Sequence, residues 1–385
     1  MPAPATPMLA GVRWPGRTVL AAVLLAAAAC GGDPPGPPAP GSTRTAGPPP
    51  TTRAAGPTSP APPQRPETVT VGWSGDAVPA SVDRGLPPDP GRLLRDVTAL
   101  LRRPDVMIGN LEGTLTRVPT STKCAPGADD CVAFRSPPEY ARLFADAGFD
   151  VLSLANNHSH DFGDAGLAET RRAVEATGLA TTGLPGQVAV RTVRGIRIAV
   201  VGFAPYGWAA PLNDPAAVRA LVARARADAD IVVVVFHGGA EGTGALHVPP
   251  GREIAFGEDR GDLRAFARTA LAAGASAVLG AGPHVVRGAE VVGRRPVAYS
   301  VGNLVGYRTL SSAGVTGTTA VLHLTFTADG SWSGGRLHPT RQVPPGYAEP
   351  DPERRAVELV GRLSREDFGP TAARLGPDGR FGPAA

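Results

Sequence analysis

Lysine is almost missing from this 385-residue chain: of 38 basic residues, Lys123 is the only lysine. Arginine carries the rest, and Ala, Gly, Pro and Arg recur throughout, as in a GC-rich coding sequence rather than a basic binding patch. The formal charge of +4 therefore says little about partners. Aromatic residues make up only 5% of the chain, and no basic run is interleaved with them. That argues against nucleic acid as a partner, while a mildly basic surface tolerates a polyanion without requiring one. No fixed-period repeat is present, which removes the solenoid and propeller classes.

Cysteine is scarce as well, with three residues. Arg13 and Arg17 precede the apolar run Val19–Ala29, and Cys30-Gly31-Gly32 follows. A basic start, a short apolar core and small residues describe an export signal over 1–29, too short for a stable membrane span. A cysteine directly after small residues resembles a bacterial lipobox, with Cys30 as the lipidated first residue of the mature protein. The expected location is the outer face of the cell membrane. The rival is an ordinary secretory signal in which Cys30 has no special role. Cys124 and Cys131 remain, seven positions apart, and in an exported chain such a pair reads as one local disulfide. Two cysteines without nearby histidines make a poor zinc site.

Residues 30–66 are dominated by Pro, Gly, Ala, Ser and Thr and read as an extended tether after Cys30. The folded part begins near Glu67. Apolar runs at 68–73, 106–108, 150–155, 231–236 and 277–279 predict strands, with helices near 90–102, 139–147, 164–177, 215–227 and 261–273 between them. Hairpins are expected at 187–203, 288–300 and 319–337. The class is α/β. Two mixed sheets packed face to face with outer helices satisfy this order, and a single doubly wound sheet is the rival. The domain is drawn as 67–345, with 346–385 as a C-terminal extension packed on it around a helix at 353–363.

Histidine numbers only seven, and five of these fall within 158–160, 237–247 and at 284. Asn156-Asn157-His158-Ser159-His160-Asp161-Phe162-Gly163 follows the apolar run 151–155. Such a segment puts amide oxygens, imidazoles and a carboxylate at the carboxyl edge of a sheet, where open α/β proteins bind ligands. These donors suit divalent metals. The plainer reading is a polar loop in which Asp161 caps the next helix. Four further strand ends carry polar groups: Gly75-Asp76, Asn110-Leu111-Glu112, His237-Gly238-Gly239-Ala240-Glu241 and Gly280-Ala281-Gly282-Pro283-His284.

With those motifs and Tyr299-Ser300-Val301-Gly302-Asn303, residues 68–308 resemble the CapA-type poly-γ-glutamate capsule-synthesis proteins. The resemblance implies a calcineurin-like metallophosphatase fold, a four-layer α/β/β/α sandwich. It implies metal ligation by Asp76, Glu112, Asn157, His237 and His284, with Asn110 lining the site. His158 is then the proton donor, Asp161 orients it, and Glu241 is ligand or base. The implied cofactor is one or two divalent ions, Mn, Zn or Fe. The implied partner is an anionic polymer such as poly-γ-glutamate, or an envelope phosphoester, together with capsule-synthesis membrane proteins. The metallophosphatase pattern is departed from in two places. Val78 stands where a second donor usually follows the first Asp, and Ala281 and Gly282 stand where a histidine often precedes the last one. Fewer imidazoles hold transition metals less tightly, so the same fold also admits a non-catalytic binding module.

Overall fold

Ile231-Val232-Val233-Val234-Val235-Phe236 has too many β-branched side chains for a favourable helix, and it forms a strand buried along its whole length, Ile231–His237. This is the centre of one sheet in the computed structural model, which describes residues 68–125 and 131–382. The signal segment 1–29, Cys30 and the tether to residue 66 lie outside the described residues. The sheet runs Ala289–Val292, Arg295–Ala298, Ala277–Ala281, Ile231–His237, Ile196–Phe203 and Ala189–Val193. Its four inner strands are parallel and its two edge strands antiparallel.

A second, ten-stranded sheet is centred on Thr68–Val78. On one side lie the parallel strands Val106–Leu111, Val151–Ser153 and Ala180–Thr182. On the other lie the antiparallel strands Thr318–Thr327 and Trp332–Val343, with Asn303–Gly306 pairing parallel to the end of Thr68–Val78. Alternation along each strand assigns its two faces. Val69, Val71, Trp73, Ile108 and Val151 meet Ile198, Val200, Val233, Val235 and Leu279 between the sheets. The opposite face of the ten-stranded sheet packs Met107, Leu111 and Leu152 against Leu93, Leu101 and Phe144. On the far side of the other sheet, Val232, Val234 and Phe236 meet Val218, Leu221 and Phe266 of the helices Pro215–Ala227 and Leu263–Ala272. Each fully buried Val, Leu or Phe contributes about 1.5–3 kcal/mol. The result is a four-layer α/β/β/α sandwich, and the single-sheet alternative is set aside.

Two of the expected helices are capped as their sequences suggest. Asp214 accepts from the backbone of Ala216 and Ala217, and Asp262 accepts from Ala265. The helix expected at 90–102 is instead two short turns, Arg92–Arg95 and Thr98–Leu101. Breaking it lets Val97 join Leu93, Leu94 and Leu101 in the core. The segment after 345 is part of the sandwich rather than an appendage. Tyr347–Pro350 and Arg380–Gly382 add strands along Trp332–Val343, and the helix Arg355–Phe368 sends Ala356, Val357 and Val360 into the core between the sheets. Cys124 and Cys131 are joined in a disulfide, with Cα atoms 5.6 Å apart.

One irregularity fixes the orientation of the first acidic motif. Val71, Gly72 and Trp73 pair in step with Val106, Met107 and Ile108, but the next pair is Asp76 with Asn110. One extra residue has entered the Thr68–Val78 strand, a β-bulge. Without it Asp76 would lie opposite Leu111 and face the helices; with it Asp76 faces the other sheet. The bulge turns at Gly75, φ 72°, where a Cβ would stand 2.2 Å from the Gly302 carbonyl oxygen. Gly75→Ala combines left-handed strain with overpacking, so it should lower stability by about 2–4 kcal/mol. A thermal midpoint equal to the parent would show that the bulge relaxes freely.

Candidate metal centre

Asp76 lies between the two sheets with both carboxylate oxygens engaged. Oδ1 accepts from Asn110 Nδ2 at 2.7 Å, and Oδ2 accepts from the backbone N of Gly282 at 2.8 Å, across the sandwich. Glu112, just beyond the Val106–Leu111 strand, is fully buried. His237 ends the central strand of the six-stranded sheet and points inward, as Val233 and Val235 do. His284 sits in the turn after Ala277–Ala281 at φ 58°, a left-handed conformation that costs a non-glycine residue about 1–3 kcal/mol. Asn303 fixes it there: His284 Nδ1 is 2.9 Å from Asn303 Oδ1, and Asn303 Nδ2 donates to the His284 carbonyl. That arrangement leaves Nε2 as the free donor.

These four side chains converge. His237 Nε2 is 3.3 Å from Glu112 Oε1 and 3.9 Å from Asp76 Oδ1. His284 Nε2 is 3.5 Å from Glu112 Oε1, and its Nδ1 is 3.4 Å from Asp76 Oδ2. Donors held about 2.1 Å from one ion at tetrahedral angles lie roughly 3.4 Å apart, so the separations of Glu112 Oε1 from His237 Nε2 and His284 Nε2 match ligands of a common cation, while the His284 Nδ1 contact with Asp76 lies on the other edge of the ring. Asp76, Glu112 and His284 each offer a ligand atom, all three within 4.8 Å of one another. Glu112 Oε2, His237 Nδ1 and Asn157 Oδ1 are buried without a hydrogen-bond partner. A buried carboxylate oxygen with no partner is costly unless a cation meets it.

The imidazoles respond differently to this field. Burial pushes His237 down to about 3, against the opposing pull of Asp76. Burial also acts to lower His284, but Glu112 first and then Asp76 outweigh it and raise it to about 10. The pocket thus stabilises positive charge among its carboxylates.

Glu241 reaches the edge of this group, with Oε2 3.8 Å from His284 Nε2. Its other oxygen pairs with Arg260, a guanidinium only 1% exposed. The pairing suits charge balance better than proton abstraction. Val78 is a buried strand residue beside Gly306 and offers no donor. Ala281 lies next to His237 on the inner face. At Gly282 a Cβ would come within 2.8 Å of the Gly238 nitrogen, at φ 114°, so this backbone leaves no room for a second histidine there.

The Asn156–Gly163 turn forms the adjoining wall. Asn156 organises it: Oδ1 accepts from the His158 nitrogen and from Ser159 Oγ, and Nδ2 donates to Asn110 Oδ1 and the Leu111 carbonyl. Asn110 therefore links Asp76 to this turn. His158 Nδ1 is 2.8 Å from Asp161 Oδ2, which also accepts from the Phe134 nitrogen. Asp161 is not a helix cap, since the helix Gly163–Glu175 has no side-chain cap. Lys123 Nζ stands 3.2 Å from His158 Nδ1 and 3.3 Å from Asp161 Oδ1. Asp76, Glu112, His237 and His284 are brought together, His158 pairs with Asp161, and Asn157 offers an unpartnered amide oxygen with no hydrogen bond to the other four. Asn156, Asn303, Arg260 and Lys123 were not singled out from sequence as site residues; the doubled asparagine and the solitary lysine were the available signals.

Residues 70–308 match the family described as Bacterial capsule synthesis protein PGA_cap. Among curated relatives, the PGA biosynthesis protein CapA of Bacillus subtilis is 29% identical over 227 residues, 54% of this chain and 55% of that protein. The capsule biosynthesis protein CapA of Bacillus anthracis is 27% identical over 233 residues, 55% and 53% respectively. The chain thus spans about half the length of the curated relatives it matches. Among solved structures, a 5'-nucleotidase precursor from Thermus thermophilus is 15% identical with a TM-score of 0.40, over 78% of this chain and 59% of that one. The match of the family across the sandwich, from the Gly75-Asp76 strand through His284 to Asn303, places this chain in the bacterial capsule synthesis protein family PGA_cap.

Proposed function

We propose that this chain is a metal-dependent hydrolase or transferase of capsule-polymer assembly, acting on poly-γ-glutamate at the outer face of the cell membrane. The observation that carries the reading is the convergence of Asp76, Glu112, His237 and His284 beside the His158–Asp161 pair. The Bacillus subtilis relative is named for PGA biosynthesis and the Bacillus anthracis relative for capsule biosynthesis, and the CapA-type resemblance supplies poly-γ-glutamate as the polymer. Two carboxylates and two imidazoles suit a first-row divalent ion such as Mn, Zn or Fe, with Asn157 as an additional oxygen donor. Such an ion would supply Lewis acidity toward a carbonyl or phosphoryl oxygen.

The chain's own residues account for orientation and proton transfer. Asp161 accepts from His158 Nδ1, fixing the tautomer that carries its exchangeable proton site at Nε2. His158 Nε2 takes up a proton from the attacking nucleophile, the imidazolium so formed returns it to the leaving group, and Asn156 holds the backbone from which it projects. Asn303 and Asn110 hold His284 and Asp76 against rotation. Ala281 and Gly282 favour one ion over two, which keeps a polymer-binding module without turnover as the second reading.

Elemental analysis of the purified protein tests this. About one bound ion per chain, with hydrolysis of γ-linked polyglutamate, supports the proposal. Hydrolysis of phosphodiesters alone moves the substrate to envelope phosphoesters. No bound metal and no turnover leaves the binding module. The membrane half of the proposal rests on Cys30: Cys30→Ser should shift the protein from the membrane to the soluble fraction and leave the polypeptide without added lipid mass. Unchanged partitioning and mass would sink the lipoprotein reading.

A further inference from the structure

The one lysine of this arginine-rich chain stands at the wall of the candidate site. Lys123 Nζ lies 3.2 Å from His158 Nδ1, 3.3 Å from Asp161 Oδ1 and 3.3 Å from the Asn157 carbonyl oxygen. Its side chain remains 32% exposed. Among the described residues, Lys123 is the cationic side chain that meets the His158–Asp161 pair. Asp161 Oδ2 is already taken by His158 and Phe134, and the lysine contacts are all longer than the 2.7–2.9 Å of a strong charge-assisted bond. An ammonium has three donors. Here Asp161 Oδ1 and the Asn157 carbonyl accept at 3.3 Å, His158 Nδ1 gives its own proton to Asp161 and accepts none, and part of the head group faces solvent.

The backbone around Lys123 is held firmly. Thr122 and Lys123 both donate backbone N–H to the Asp161 carbonyl, and Ser121 Oγ donates to the same oxygen. Ser121 Oγ also accepts from the nitrogens of Lys123 and Cys124, and Cys124 is cross-linked to Cys131. A flexible side chain therefore rises from a stapled base. A lysine serves as a compact point charge, whereas a guanidinium presents a wide planar fork.

We propose that Lys123 is an anion-binding residue of this site, positioned by the hydrogen bonds of Ser121 and Asp161 and by the Cys124–Cys131 disulfide, and that it contacts a carboxylate or phosphoryl oxygen of the substrate. The inference rests on the proposed reading that His158 faces the reacting group. Glu241 is paired with Arg260, and a divalent ion would do no more than balance Asp76 and Glu112, so the metal side of the cleft holds little net positive charge to attract an anionic substrate. Lys123 supplies the opposite charge on the His158 side, where the same substrate group must pass. Loss of the disulfide frees the loop and lowers the effective concentration of that charge at the site.

The test is equilibrium binding, which does not depend on turnover. Dissociation constants for inorganic phosphate and for a short γ-linked glutamate oligomer are measured by calorimetry, in chelator-treated protein and again with Mn²⁺ added. Lys123→Met should weaken one of the two anions by about tenfold, the lower end for a bond to a charged group because the ammonium is partly solvated. The anion that loses more identifies the recognised oxygen, phosphoryl or carboxylate. A reducing agent should weaken the parent by a similar factor and leave Lys123→Met unchanged. If Lys123→Met does not fold, the Cys124→Ala/Cys131→Ala double variant, which keeps the lysine, should reproduce the effect of reduction. Parent-like affinity in Lys123→Met, or no binding of either anion by the parent, overturns the proposal. A reductant effect that persists in Lys123→Met overturns the role of the loop. Lysine-dependent binding in a protein that takes up no metal keeps this inference and removes the hydrolase reading.

Discussion

Turnover of γ-linked polyglutamate, or of bis-p-nitrophenyl phosphate as a phosphodiester probe, is expected to fall by about 10²–10⁴-fold in His158→Ala, with metal content unchanged. The two halves of this result come from separate geometries. His158 is tied to Asp161 through Nδ1 at 2.8 Å and lies tilted against Phe134, ring centroids 4.3 Å apart and planes at 38°. It makes no ion pair with Asp76 or Glu112, unlike His237 and His284. Removing it therefore takes away the proposed proton donor and leaves the carboxylate–imidazole cluster whole. Loss of bound metal from His158→Ala would make it a ligand and undo the division of roles. Full activity would remove it from the reaction.

The strands that build the cleft were legible because fully buried parallel strands must be continuous apolar runs. Ile231–His237 read directly from its β-branched residues and Val151–Ser153 from the apolar run 151–155, and the polar residue that follows each apolar run marked the sheet edge. What the sequence did not disclose were features set by partners distant in the chain. The hairpin Glu253–Ala255 with Glu258–Gly261 turns at Phe256-Gly257, with Phe256 at φ 53°, and Phe is not a residue that announces such a turn. The bulge at Gly75 is invisible until Asp76 is seen paired with Asn110. The residues from 346 onward lack long apolar runs because their strands sit on an outer strand and its neighbours, so they read as an extension.

The candidate site was legible as a set of residue types and less so as a division of labour. Asp76, Glu112, His237 and His284 each follow an apolar strand, and neighbouring strand ends open into one cleft. The doubled asparagine was ambiguous because both amides are polar and buried in the same turn. Only the hydrogen bonds separate them: Asn156 is spent on Asn110, Leu111, His158 and Ser159, whereas Asn157 Oδ1 has none. Glu241 read as ligand or base because its guanidinium partner, Arg260, lies 19 positions later on a hairpin that was not predicted.

Glu112→Gln should remove most of the stabilisation that a divalent metal gives this protein. Glu112 is fully buried, its Oε1 faces both His237 and His284, and its Oε2 has no hydrogen-bond partner. An ion that binds only the folded state stabilises it by RT ln(1 + [L]/Kd), about 4 kcal/mol at a free concentration a thousand times Kd. For a domain somewhat above 250 residues that is a rise in thermal midpoint of roughly 5–10 °C over chelator-treated protein. Glutamine keeps the shape of Glu112 but removes the charge and half the acceptor capacity. If affinity falls about a hundredfold, the upper end for losing even an outer partner of a metal ligand, the same concentration is only about ten times the new Kd. The stabilisation then drops to about 1.4 kcal/mol, and the midpoint rise shrinks to about a third. Differential scanning calorimetry with chelator and with Mn²⁺ on both proteins reads this directly. Comparing each protein with its own chelated form cancels any change the substitution makes to the metal-free fold. An equal rise in parent and variant would place the ion away from Glu112, and no rise in the parent would mean that the convergent carboxylates and imidazoles do not bind Mn²⁺.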